Sequence, residues 1–125
     1  MTSQPAIPSI TPAEAAAEAA AAATGGSPPL IVDVREPDEF ARERIAGAAL
    51  VPISQFVARH AELPKDRPLF VLCQAGSRSQ SATMYLLQAG WTDVRNVTGG
   101  ISAWMQAGLP VRRGTPEPGE GDLQA

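Results

Sequence analysis

Leu69-Phe-Val-Leu-Cys73-Gln-Ala-Gly-Ser-Arg78-Ser79 is the stretch that decides the fold of this chain. An uncharged run ends in the only cysteine, and an arginine follows after four residues. A short apolar run closed by a glycine-containing turn reads as a strand buried on both faces. The segment Ser79 to Ala89 then reads as a helix. A strand that empties through a tight loop into a helix turns the loop's N–H groups toward one point. That point lies at the positive end of the helix dipole and favours an anion. Cys73 stands where such a point holds a sulfur as thiolate. An isolated cysteine is more often core than catalyst. A core cysteine, however, needs neither Gly76, nor an arginine in the same loop, nor a helix start beside it.

Working outward, Leu63 to Pro68 is a loop leading into the cysteine strand. Leu30-Ile-Val-Asp33-Val34 repeats the buried-strand pattern, with a carboxylate near its end and Arg35 next to it. Glu36 to Glu43 reads as a short helix, and Ala46 to Pro52 as a brief edge strand ended by proline. The segment Ile53 to His60 is amphipathic, with Ile53, Phe56, Val57 and His60 on one helical face. Toward the N-terminus, Thr11-Pro12-Ala13-Glu14 is a compact helix start with a capping box, running on alanines to Ala23. Thr24 to Pro29 breaks it, and a short first strand is open at Ile7 to Ile10. Beyond the cysteine, Ala82, Tyr85, Leu86 and Ala89 share a helix face that stops at Gly90. A strand from Val94 to Val97 follows, then Gly99-Gly100 and a last helix, Ile101 to Ala107. Strands alternating with helices through short connections imply a parallel α/β sheet covered on both faces. Ligands of such sheets bind at the carboxyl ends of the strands, where Asp33 and Cys73 both fall.

Composition narrows the function. The 125 residues suit one domain, over 1–113, with a Pro-, Gly- and Glu-rich disordered tail over 114–125. The net charge is −3, and nine of the ten basic residues are scattered arginines, so neither nucleic acid nor a membrane surface is an expected partner. One cysteine and one histidine, His60, leave no zinc cluster and no internal resolving thiol. No metal and no cofactor are implied. No run approaches a membrane span, and the alanine stretch carries Glu14 and Glu18 without a preceding positive residue, so the expected location is cytoplasmic.

Four pieces in order and in register resemble a single-domain rhodanese, a sulfurtransferase. They are Asp33-Val-Arg35-Glu-Pro-Asp-Glu39-Phe40, Ile45-Ala-Gly47-Ala48, Cys73-Gln-Ala-Gly76-Ser-Arg78-Ser79 and Gly99-Gly100-Ile-Ser-Ala-Trp104. The resemblance extends from about Ile10 to Val111. It implies a three-layer α/β/α fold with a parallel sheet of about five strands. It also implies that Cys73 accepts a sulfane sulfur and carries it as a persulfide. Relatives often have His where Arg44 stands here.

On this resemblance, Cys73 thiolate takes sulfur from a small anionic donor such as thiosulfate, or from a persulfide. It passes the sulfur to cyanide, to a thiol or to a sulfur-accepting protein. The loop Gln74, Ala75, Gly76, Ser77, Arg78 and Ser79 is expected to bind the donor. Its N–H groups would cradle the terminal sulfur, and Arg78 could fork onto an anionic donor. Asp33 either orients Arg35 or the loop, or accepts backbone N–H bonds as a structural carboxylate; structure is favoured, because this transfer needs no carboxylate base. Arg35 is its ion partner or a pin for a neighbouring loop. Ser77, Ser79 and Ser81 stabilise the loop or cap the helix. Phe40, Trp91 and Trp104 read as core. A phosphatase or arsenate reductase with a cysteine–arginine loop is the less favoured enzyme, since four residues between Cys73 and Arg78 make a smaller cradle than five. A non-enzymatic regulatory module of the same fold usually lacks the cysteine that this chain keeps, while a sulfur carrier that binds a partner protein and hands it the persulfide sulfur stays open as the alternative.

Overall fold

A computed structural model describes residues 7–22 and 27–123. The end of the alanine helix at Ala23, the break at Thr24 to Gly26, most of the first nine residues and the last two lie outside the described residues. The elements, in chain order, are β1 (Ser9–Ile10), α1 (Pro12–Ala22), β2 (Leu30–Asp33), α2 (Pro37–Arg42), β3 (Ala49–Leu50), α3 (Phe56–Arg59), β4 (Leu69–Leu72), α4 (Ser77–Gln88), β5 (Val94–Val97) and α5 (Gly100–Gln106). The strands form one all-parallel sheet in the order β1-β5-β4-β2-β3. The cysteine strand is central, with Val32 beside Val71 and Val71 beside Asn96.

Strand alternation divides the core. Val32, Val34, Leu69, Val71, Cys73 and Val94 face one layer, with Phe56, Ala82, Leu86 and Trp91 packed on them. Ile31, Phe70, Leu72 and Val97 face the other, with Ala15, Phe40, Ile101 and Trp104. The buried indoles each donate to a carbonyl, Trp91 to Pro64 at 3.0 Å and Trp104 to Pro110 at 2.9 Å. The capping box at Thr11 and Glu14 forms as the sequence implies.

Three local expectations change. The segment after β3 is a 3₁₀ turn, Ile53–Gln55, then α3, then a second 3₁₀ turn, His60–Glu62. Three-residue turns stack Phe56 over Ile53 and swing Val57 outward, where it is 66% exposed. The helix after Cys73 starts at Ser77, two residues earlier than expected, so Arg78 and Ser79 lie in its first turn. Its buried face is Ser79, Ala82, Thr83 and Leu86, whereas Ala89, beyond the last helical residue, is exposed.

The third change concerns the tail. Where the composition of residues 114–125 reads as disorder, the structure lays residues 114–123 against the domain. Arg44, 2% exposed, forks onto Glu120 at 2.6 and 3.0 Å and donates to the Gly114 carbonyl at 2.7 Å. Arg44 and Arg112 exchange backbone hydrogen bonds, and Leu50 N–H donates to the Gly121 carbonyl at 2.7 Å. Leu123 packs on the core. Hydropathy misses this because Leu123 is the segment's one large apolar anchor, and the rest is held by ion pairs to Glu120 and by backbone bonds.

Candidate active site

The site is built at the carboxyl end of β4. Cys73 is 1% exposed, and its sulfur accepts a hydrogen bond from Gly76 N–H at 3.0 Å. Gly76 has φ of +106°, a conformation that L side chains rarely adopt, and this turns the loop back on the sulfur just before α4 begins. Ser79 Oγ lies 3.3 Å from the sulfur. Burial pushes the Cys73 thiol up, but the Ser79 hydroxyl and the N–H groups of Ser79, Gly76 and Ala75 outweigh it, and the net direction is down.

The loop's carbonyls are occupied from behind. Ile101 N–H donates to the Cys73 carbonyl at 2.9 Å and Ser102 N–H to that of Gln74 at 3.1 Å. These bonds dock the start of α5 onto the loop and leave the loop's own N–H groups for the sulfur. Gly100 permits the approach: a Cβ there would strike the Cys73 carbonyl oxygen and lie 2.6 Å from the Gln74 carbonyl carbon. The Gly99-Gly100 pair is therefore part of the site's construction.

Asp33 and Arg35 form a wholly buried ion pair beneath the loop, with Arg35 Nη2 at 2.8 Å from Asp33 Oδ2. Asp33 also accepts the Arg35 backbone N–H at 3.0 Å. The guanidinium's remaining donors reach the carbonyls of Glu39 and Glu43 and the Gln74 side chain at 3.2, 2.7 and 3.4 Å. Arg35 thus joins β2, α2 and the cysteine loop, and Asp33 is the structural carboxylate that neutralises it. Gln74 continues the chain by donating to Ser102 Oγ at 3.1 Å, so its side chain points to α5 and away from the sulfur.

Arg78 differs from expectation. Both of its terminal nitrogens are on Glu39, at 2.7 and 2.8 Å, so the fork expected for a donor is taken up. The pairing holds the Glu39 carboxyl down at about 2. Ala75 and Ser77 are exposed at the mouth of the loop. The structure therefore gathers Cys73, Gly76 and Ser79 on the sulfur and turns Gln74 and Arg78 to neighbouring elements.

Sequence reasoning passed over two residues. Glu39 has no role in the sequence reading, although a carboxylate four residues after Arg35 is a visible partner for an arginine. Asn96, 2% exposed, accepts a hydrogen bond from Ser79 Oγ. Its signal was a polar residue pointing inward from a strand that is otherwise apolar on that face.

The family model for a rhodanese-like domain matches residues 15–107. A protein of Allochromatium vinosum named sulfurtransferase is 43% identical over 82 residues, covering 66% of this chain and 77% of that protein. Among solved structures, a rhodanese-related protein from Thermoplasma volcanium is 32% identical, with a TM-score of 0.75 over 84% of this chain and 97% of that one. A thiosulfate sulfurtransferase from Pseudomonas aeruginosa is 30% identical, also with a TM-score of 0.75, over 94% of this chain but 22% of that much longer one.

Proposed function

The chain belongs to the rhodanese-like domain family, and from that premise we propose that it is a sulfurtransferase working through a Cys73 persulfide. The single observation that carries the reading is the closed cradle around Cys73, in which Gly76 N–H and Ser79 converge on a buried sulfur. Cys73 thiolate attacks the outer sulfur of a donor such as thiosulfate or a persulfide. A sulfur–sulfur bond forms on Cys73, the donor's own sulfur–sulfur bond breaks, and its electron pair leaves on sulfite or on a thiolate. The negative charge then rests on the outer sulfur, where the loop's N–H groups stabilise it. A thiophilic acceptor, cyanide in an assay and a thiol or a protein thiol in the cell, takes that sulfur and returns Cys73 as thiolate. The cytoplasm, where thiols stay reduced, is the proposed setting.

With Arg78 bound to Glu39, the N–H groups of the loop carry the donor's charge in this reading. The test is thiocyanate formation from thiosulfate, and from an inorganic polysulfide, with cyanide as acceptor. Turnover that disappears in Cys73→Ser is expected; undiminished turnover in that variant would remove the nucleophile. An aryl phosphate should be hydrolysed negligibly, and Cys73-dependent phosphate release would favour the phosphatase instead.

A further inference from the structure

Ser79 Oγ is buried and has two polar neighbours but one proton to give. On one side is Asn96 Oδ1, to which it donates a short hydrogen bond; on the other is Cys73 Sγ at 3.3 Å. An amide oxygen can only accept, so while the bond to Asn96 stands, Ser79 can meet the sulfur only as acceptor. It then receives the S–H of a thiol. A thiolate reverses the demand: the sulfur becomes the acceptor, and the hydroxyl must leave Asn96 to reach it. The backbone around Ser79 stays put, since its carbonyl is held by Thr83 Oγ1 at 2.7 Å and it sits within the first turn of α4. Only the hydroxyl turns.

We propose that Asn96 is a positioning residue which, by holding the Ser79 hydroxyl proton, favours a neutral sulfur on Cys73 over the thiolate. The competition is local. Arg78 is the cation whose charge senses Cys73, and it is clamped by Glu39. Asp33 and Arg35 neutralise each other below the loop. None of these contacts passes through Asn96. The contribution of the Ser79 hydroxyl to lowering the thiol is available only after that hydroxyl has left Asn96.

One consequence rests on the proposed sulfur transfer. In a persulfide the inner sulfur is bonded to carbon and to sulfur and carries no charge, so it no longer calls on the hydroxyl. Ser79 can return its proton to Asn96 while the backbone N–H groups hold the charged outer sulfur. Asn96 therefore favours the loaded protein over the free thiolate, and its loss speeds discharge to an acceptor.

The deciding experiment titrates Cys73 without any sulfur donor, so its outcome does not depend on the sulfur-transfer reading. Thiolate ultraviolet absorbance is followed against pH, with Cys73→Ser as the blank, and alkylation by iodoacetamide is followed by intact mass. Asn96→Val should lower the midpoint by about half a unit or more, and Ser79→Ala should raise it. Asn96→Val placed in the Ser79→Ala background should change nothing further. Asn96→Ala, which cannot crowd the site, is the second variant and carries the same expected sign. An unchanged or raised midpoint in the Asn96 variants would overturn the proposal. So would a shift of equal size when Ser79 is absent.

Discussion

Arg78 and Glu39 meet fork to fork across 39 residues of sequence, at 2.7 and 2.8 Å, and so tie the first turn of α4 to α2. The arginine of the cysteine loop therefore works as a strut. Arg78→Ala is expected to slow sulfur transfer from thiosulfate and from an uncharged organic polysulfide by similar factors, because what is lost is loop position. The pair is partly exposed, so the stability cost should be about 1 kcal/mol or less. Arg78→Lys should not restore the rate, since one ammonium cannot span both carboxylate oxygens. A KM that rises for thiosulfate alone would show that Arg78 leaves Glu39 for the donor.

Gly100→Ala tests how α5 holds the loop. The added methyl meets the Cys73 and Gln74 backbone at a residue whose φ is +62°. Overpacking costs about 1–3 kcal/mol and a left-handed L residue roughly 1–2 more. Urea unfolding should show a loss of that order, with Cys73 becoming a more ordinary thiol in whatever remains folded. A neutral Gly100→Ala would mean that the loop and α5 separate easily.

Removal of residues 114–125 should lower the melting temperature by several degrees. The truncation would strand Arg44, 2% exposed, without the Glu120 carboxylate and the Gly114 carbonyl. An uncompensated buried charge is the costly outcome of breaking such a pair. Adding Arg44→Met to the truncated chain should recover part of the loss. A truncation without effect on melting would show that the tail is not docked in solution.

Acid stability follows from the same two arginines. Glu39 and Glu120 each titrate at about 2 in the folded chain against an ordinary 4.5, owing to Arg78 and Arg44 respectively. The unfolded chain binds more protons than the folded one between those values, so these pairs contribute fully above about 4.5 and fade as pH falls toward 2. The double variant Glu39→Gln, Glu120→Gln should flatten that part of the stability–pH curve, measured by urea unfolding at each pH. An equally steep acid limb in the double variant would assign it to other carboxyls.

Much of this architecture was legible from the chain. The short apolar runs Leu30 to Val32 and Leu69 to Leu72, each set between turn-forming residues and followed by a helical stretch, read as buried strands of a parallel sheet, and the Thr11–Glu14 box announced α1. Cys73, Gly76 and Ser79 could be placed on one loop because a strand end, a turn glycine and a helix start are written in succession. What could not be read was pairing at long range. Nothing local tells Arg78 to choose Glu39, Arg44 to choose Glu120, or Ser79 to choose Asn96, since those partners are 39, 76 and 17 residues away. The tail misled because its composition is that of a disordered segment, and the residue that orders it, Arg44, lies in another part of the chain.

In the proposed reaction Cys73 carries the transferred sulfur. With one cysteine in the chain, intact mass after incubation with thiosulfate, or with a low-molecular-weight persulfide, reports on that residue directly. A gain of one sulfur atom is expected, absent in Cys73→Ser and reversed by cyanide with release of thiocyanate. No gain from either donor, in protein whose Cys73 remains open to alkylation, would contradict it.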